Sequence, residues 1–260
     1  MEFIIYLLLG ACAGVFAGLF GIGGGMIIVP ILVYSFALQG FNPDVLTHMA
    51  VGTSLATIVF TSANSVRTHH KLGAVHWPMV LWMTIGIVVG SVLGAWTASS
   101  LSGPVLQKII GIFAICMAVQ MAFDLKPKAS MGEPSKPALS AAGGVIGWAS
   151  AIFGIGGGSL TVPFLTWRSV PIRQAVATSA ACGMPIALLG AISFIITGWA
   201  AEGLPELSLG YVYLPALVGI ALTSVFFAGF GARLAHRLPQ RLLKRLFALM
   251  LVTVGINFLL

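Results

Sequence analysis

Ten apolar runs follow one another with only short polar gaps, and that succession constrains the fold more than any other feature. The runs are Phe3–Phe20, Met26–Leu38, Leu46–Val66, Val75–Ala98, Val105–Phe123, Ala138–Phe153, Ser159–Trp167, Ala175–Trp199, Leu207–Leu234 and Leu242–Leu260. A helix crossing a hydrocarbon core about 30 Å thick needs about 20 apolar residues, and most of these runs reach or approach that length. Composition agrees: 58% of the 260 residues are hydrophobic and 7% are charged, with a mean hydropathy of +1.05. A soluble domain carries about a quarter charged residues. Too little polar surface is available to cover a water-facing globule, which excludes a soluble enzyme, a nucleic-acid binder and a disordered chain. The net charge of +7 does not change this, because the Lys and Arg residues cluster between apolar runs, where membrane topology places them. The expectation is an all-α polytopic protein, integral and multi-pass, with the lipid bilayer as a partner, in a bacterial cytoplasmic (inner) membrane.

Two runs, Met26–Leu38 and Ser159–Trp167, are too short to cross as straight helices, and each follows a glycine cluster. The stretch Phe20-Gly-Ile-Gly-Gly-Gly-Met-Ile-Ile-Val-Pro30 matches Phe153-Gly-Ile-Gly-Gly-Gly-Ser-Leu-Thr-Val-Pro163. Farther on, Ala50-Val51-Gly52-Thr53-Ser54 matches Ala175-Val176-Ala177-Thr178-Ser179, Pro78 matches Pro215, and Gly94-Ala95 matches Gly231-Ala232, all in the same order. This is an internal duplication. It divides the chain into a first membrane repeat at 1–123, a polar linker at 124–137 rich in Pro and Lys, and a second membrane repeat at 138–260.

Charge predicts the orientation of the copies. The connection after Leu46–Val66 is basic (Arg67, His69, His70, Lys71), whereas in the second half Arg168 and Arg173 precede the equivalent run and Glu202 and Glu206 follow it. With basic loops on the cytoplasmic side, the halves are upside down relative to each other. About five helical segments per half give the same inversion. Two inverted-topology repeats with broken or re-entrant helices at the GIGGG motifs match an architecture used by secondary transporters, whose substrate sites lie near the midplane.

Consecutive glycines break a helix, and their bare amides are intolerable against lipid, so they line a cavity or bury themselves in protein. The short helix that follows each break points its free N–H groups and positive dipole end back at the glycines, a nest suited to an anion. The competing reading is close packing between helices, which suits Gly14, Gly86, Gly90 and Gly94. Neither cluster is a P-loop, since no Gly-Lys-Ser/Thr follows, nor a dinucleotide fingerprint, since no strand precedes it. The hydroxyls of Thr53, Ser54, Thr178 and Ser179 are further candidates, either as donors to the anion or bonded back to their own helices. His48 and His76, near run ends, read as satisfied or interfacial histidines, and the Trp residues as an interfacial belt.

All six acids (Glu2, Asp44, Asp124, Glu133, Glu202, Glu206) fall at termini, loops or run ends, and no Lys or Arg falls in mid-run. No catalytic constellation, proton relay or metal cluster is legible, so no enzyme activity, cofactor or metal is expected. Cys12, Cys116 and Cys182 are scattered without metal or redox spacing. The first run lacks a preceding basic segment and is expected to be retained rather than cleaved.

The paired FGIGGG…VP stretches, the AVGTS and AVATS segments and the late GARLAHRLPQRLLKRLFALML run resemble the sulfite exporter TauE/SafE family of membrane permeases, over nearly the whole chain. The resemblance implies export or uptake of sulfite, sulfoacetate or a related small anion. Carried over by motif, the substrate-binding residues are Gly21, Gly23, Gly24, Gly25, Gly154, Gly156, Gly157 and Gly158, with Ser159, Thr53, Ser54, Thr178 and Ser179 beside them. One departure is visible: Ala177 stands where the first copy has Gly52, so the half-sites need not be equivalent. The expected function is a secondary transporter exporting such an anion. A passive anion channel and a structural membrane subunit are the competing readings.

Overall fold

The computed structural model describes residues 2–20, 25–123, 132, 134–235 and 240–260. The glycines Gly21, Gly23 and Gly24 and most of the 124–137 linker lie outside them. Before the linker come α1 (Glu2–Phe20), α2 (Gly25–Leu38), α3 (Pro43–Lys71), α4 (Trp77–Ser99) and α5 (Gly103–Ala122). After it come α6 (Lys136–Phe153), α7 (Gly158–Trp167), α8 (Ile172–Thr197), a hairpin of β1 (Ser208–Leu209) and β2 (Val212–Tyr213), then α9 (Leu214–Ala235) and α10 (Gln240–Leu259). Among the described residues, four helices, α3, α4, α5 and α8, are long and apolar enough to cross a membrane.

Helix starts follow local chemistry. The Asn42 side chain accepts from the Asp44 N–H at 3.0 Å with Pro43 in the first turn, and the His76 ring accepts from the Met79 N–H at 3.3 Å with Pro78 in the first turn. Proline there has a preset φ and lacks only an N–H that the helix would leave unpaired. The β-hairpin is a departure from the expected all-helical run at Leu207–Leu234. It turns at Gly210, whose φ is +55°, pairs Leu209 with Val212, and hangs its Tyr211 N–H on the Phe194 carbonyl at 3.2 Å.

Long-range packing joins elements from either side of the linker: α1 with α9, α4 with α6, α5 with α10, and α3 with α8. Without a hydrophobic driving force in lipid, such pairs depend on close van der Waals approach at small residues. Gly10 and Gly14 of α1 press on the backbone of Ile220 and Ser224, while Gly143 and Gly147 of α6 press on that of Met83 and Ile87. In α4, Gly86, Gly90 and Gly94 in turn lie against the carbonyls of Ser140, Gly144 and Trp148. A side chain at any of these seven positions would meet backbone, at Gly10 and Gly147 together with a hydroxyl side chain. On the opposite faces the large apolar side chains point outward: Trp96, Trp199, Phe226 and Ile196 are each at least 60% exposed, as expected of a surface solvated by lipid.

Several contacts of the α1/α9 seam have counterparts in the α4/α6 seam. Moving along the sequence by 133 residues takes Gly10 and Gly14 to Gly143 and Gly147, and Phe20 to Phe153. An offset of 137 takes Met83 and Ile87 to Ile220 and Ser224, and Pro78 to Pro215. These contacts of one seam therefore recur in the other with the halves exchanged.

Candidate functional site

Helix α6 ends at Phe153 because Gly154 adopts the left-handed conformation, φ 66° and ψ 32°, with its N–H bonded back to the Ser150 carbonyl. The Ile155 N–H bonds to the same carbonyl at 3.0 Å. Gly157, again left-handed at φ 73° and ψ −15°, then caps the N-terminus of α7. A residue with a Cβ pays about 1–2 kcal/mol in this region, so the turn depends on glycine at both positions.

The turn is wedged between three helices. From α3, the buried Ser54 hydroxyl donates to the Gly154 carbonyl at 2.8 Å. From α8, Gly183 presents only hydrogen: a Cβ there would sit 2.5 Å from the Gly156 carbonyl oxygen. From the start of α2, a Cβ on Gly25 would lie 2.6 Å from the Gly154 oxygen and 2.8 Å from the Ile155 Cα. The Ser159 hydroxyl meets the Met26 thioether at 3.5 Å. Met26 and Ser159 hold equivalent places in the two FGIGGG stretches, so the two post-glycine helix starts touch each other.

Of the residues expected to form the site, Gly25, Ser54, Gly154, Gly156, Gly157, Gly158 and Ser159 fall in this one cluster, and all but Gly158 are buried. Thr53, Thr178 and Ser179 are used differently. The Thr53 hydroxyl accepts from the Tyr213 N–H at 3.0 Å, directly before α9. The Thr178 hydroxyl accepts from the His76 N–H at 3.2 Å, directly before α4. Both threonines thus tether the start of a helix from across the linker, and His76 and Tyr213 are again related by the 137-residue offset. Ser179 donates within its own helix, to the Val176 carbonyl at 3.1 Å.

Gly183 is the residue sequence reading passed over. A lone glycine within an apolar helix carries no motif, and only the carbonyl it accommodates gives it meaning. His48 proves structural on one side: its Nε2 lies 3.0 Å from the Ala98 and 3.1 Å from the Leu101 carbonyl oxygens at the end of α4, and its ring stacks on Tyr211 at 5.0 Å. The groups assembled at the turn are main-chain amides, hydroxyls, a thioether and methyl groups. Beside it, Met26, Val29, Pro30, Phe113, Ile155 and Leu251 line an apolar cleft of about 20 Å³, a volume on the scale of one water molecule.

A family model described as sulfite exporter TauE/SafE matches residues 6–258. A "probable membrane transporter protein" of Haemophilus influenzae is 42% identical over 258 residues, covering 99% of this chain and 98% of that protein. Another so named, from Methanocaldococcus jannaschii, is 30% identical and covers 100% of this chain and 97% of its own length. A third, from Bacillus subtilis, is 28% identical, covering 98% and 96% respectively. No solved structure matches the chain. These relatives are named as membrane transporters rather than enzymes, and four helices among the described residues are long and apolar enough to span a bilayer, so this is an integral, multi-pass membrane protein. With the match running nearly end to end, the chain belongs to the sulfite exporter TauE/SafE family.

Proposed function

We propose that the chain is a secondary transporter that exports sulfite or a related sulfur-containing or small organic anion, through a midplane site formed by two glycine-rich helix breaks, one from each of two inverted repeats. The observation that carries the reading is the contact between the breaks: Gly25 packs on Gly154 and Ile155, and Ser159 reaches Met26. Broken helices from two repeats that meet between long spans are the arrangement in which transporters hold substrate.

Depth supports it. Ser54 lies about 16 Å along α3 and Gly183 about 16 Å along α8, at 1.5 Å per residue, and both touch the same turn. For helices standing roughly along the membrane normal, that is near the middle of a core about 30 Å thick. The exchanged seams and the paired threonine tethers support two copies of one fold related by a two-fold axis, and the charge reversal supports their inversion. Donors without a fixed cation hold an anion weakly enough to let it go. Moving a negative charge out of a negative interior gains about 2.3 kcal/mol per 100 mV, a sufficient drive for export without a proton relay.

The test is flux of labelled sulfite in proteoliposomes under an imposed potential, comparing wild type with Gly24→Val and Gly157→Val. Saturable, voltage-driven flux that both substitutions abolish is the expected result. Flux that never saturates and shows no exchange makes the protein a passive anion channel, and unchanged flux in both variants removes the glycine turns from the site.

A further inference from the structure

Two hydroxyls at the second break are left over from the hydrogen bonding of the fold. Ser150 of α6 and Thr161 of α7 are fully buried, at 0% exposure, and neither side-chain oxygen has a hydrogen-bond partner. Several helical hydroxyls recover their bond by donating one turn back, as Thr57 does to Thr53, Thr84 to Val80, Thr97 to Leu93 and Thr166 to Val162. Thr161 does not, and the carbonyl it would use, that of Gly157, already accepts the N–H groups of Leu160 and Thr161. Thr47 of α3 and Ser91 of α4 are also buried without a partner, but only Ser150 and Thr161 flank the glycine turn. Burying a hydroxyl without a partner is unfavourable, so a matched pair of orphans in one place asks for an explanation.

They converge on the left-handed glycine. The point where a Gly157 Cβ would begin lies 3.5 Å from Thr161 Oγ1 and 3.6 Å from Ser150 Oγ. Around the same turn, the N–H groups of Gly156, Gly157, Gly158 and Ser159 have no hydrogen-bond acceptor among the described residues. Carbonyls, which would repel an anion, are occupied elsewhere: that of Gly154 by Ser54, and that of Gly156 against Gly183. What remains at the turn includes four main-chain N–H groups and the two hydroxyls, each able to donate. The δ-methyl of Ile186 reaches this space, 2.5 Å from the Gly157 Cβ position.

The first glycine stretch does not carry these hydroxyls in its sequence. At the same 133-residue offset, Ser150 corresponds to Ala17, Thr161 to Ile28 and Ser159 to Met26. Ile28 and Met26 are buried apolar side chains. The duplicated glycines therefore carry hydroxyl donors in one copy only.

Resting on the transporter reading above, we infer that Ser150 and Thr161 are the residues that select the passenger, and that selection takes place at the second break alone. The ligand they fit is an oxyanion head with three acceptor oxygens and no donor, as in sulfite or a sulfonate. Two hydroxyls on different helices and the main-chain N–H groups between them can each reach a separate oxygen of such a head. A halide accepts several hydrogen bonds but at a single point, and a carboxylate spreads its acceptors over two oxygens in one plane. Neither spans donors set on two helices and the turn between them as three pyramidal oxygens do.

The test uses the purified full-length protein in detergent, with methanesulfonate, sulfite, acetate and chloride as probes in calorimetric titration and thermal unfolding. Ser150→Ala and Thr161→Val are each expected to weaken methanesulfonate and sulfite binding about tenfold, and the double variant about a hundredfold, with little change for chloride. Thr161→Ser, which keeps the hydroxyl, should bind within about twofold of wild type. Because no protein hydrogen bond is lost, the ligand-free unfolding temperature should not fall. Binding within twofold of wild type in the double variant overturns the inference, as does a fall in ligand-free unfolding temperature with affinity unchanged, since the hydroxyls then serve the fold. Gly157→Val run in parallel separates the two readings. If it abolishes binding while the double variant binds normally, the glycine turn stands and the hydroxyl pair falls; if wild type binds neither sulfite nor methanesulfonate, both fall.

Discussion

Thr53-Ser54 of α3 and Thr178-Ser179 of α8 are the same two residues in matching sequence contexts, and the structure treats the two positions differently. The threonines do one job twice, each accepting the N–H that precedes a helix from across the linker. The serines diverge: Ser54 crosses to the Gly154 carbonyl at 2.8 Å, whereas Ser179 bonds to its own helix. A feature kept in both copies with the same partners holds the fold together. On the proposed two-repeat organisation, a feature whose partners differ between copies marks where the copies have diverged. The glycine stretches show the same contrast in sequence, since FGIGGG recurs while Ser150, Ser159 and Thr161 have Ala17, Met26 and Ile28 at the matching positions.

The largest effect should come from filling the turn. Gly157→Val imposes a β-branched side chain on a left-handed φ of 73° and drives it into Ile186, and should abolish transport in proteoliposomes. Gly40 and Gly73 provide the comparison: both have positive φ, 76° and 64°, but nothing lies within 4 Å of a Cβ at either position. Gly40→Ala and Gly73→Ala should each cost about 1–2 kcal/mol of stability from backbone strain and leave flux intact. If Gly73→Ala stops transport as completely as Gly157→Val, the special status of the turn is lost.

Next is the divergent serine pair. Ser54→Ala strands a buried carbonyl, at a cost of about 1–3 kcal/mol, and frees the turn to rotate, so both unfolding temperature and flux should drop. Ser179→Ala removes only a bond to the preceding turn and should stay within about 0.5 kcal/mol of wild type. Equal losses for the two variants in thermal unfolding would show that the serines are not specialised. Gly183→Ala sharpens the same contrast from α8: its methyl would meet the Gly156 carbonyl, so it should lower flux more than Gly144→Ala, where the nearest atom is 3.7 Å away.

Much of this arrangement could be read in advance because lipid permits few solutions. The run Met26–Leu38 became the helix Gly25–Leu38, and Ser159–Trp167 became Gly158–Trp167, since an apolar stretch between a glycine cluster and a polar gap has little choice but helix. The hairpin at 208–213 escaped notice because Leu209, Tyr211, Val212 and Tyr213 look like the start of the next span, and only the pairing with one another and with Phe194 distinguishes them. Thr53 and Thr178 were legible as important through duplication, but their partners were not. A hydroxyl in a sequence does not say whether it will meet a ligand or a backbone N–H arriving from 102 or 160 residues away. Ser150 and Thr161 carried no signal at all, because what singles them out is the bond each fails to make.

The smallest expected effect tests the half of the comparison that claims sameness. Thr53→Val and Thr178→Val remove equivalent acceptors, yet the surroundings differ. Tyr213 is buried at 6% exposure, so its N–H loses its partner with no water to replace it, at about 1–3 kcal/mol. His76 is only partly buried, and its N–H can recover a bond to water, leaving a cost of about 0.5–1.5 kcal/mol. Thermal unfolding should therefore rank Thr53→Val below Thr178→Val by about 1 kcal/mol. The double variant should show the sum of the two losses, because the tethers share no partner. A double loss well beyond that sum would mean that the two tethers act as one element, and that the halves move together rather than each about its own hinge.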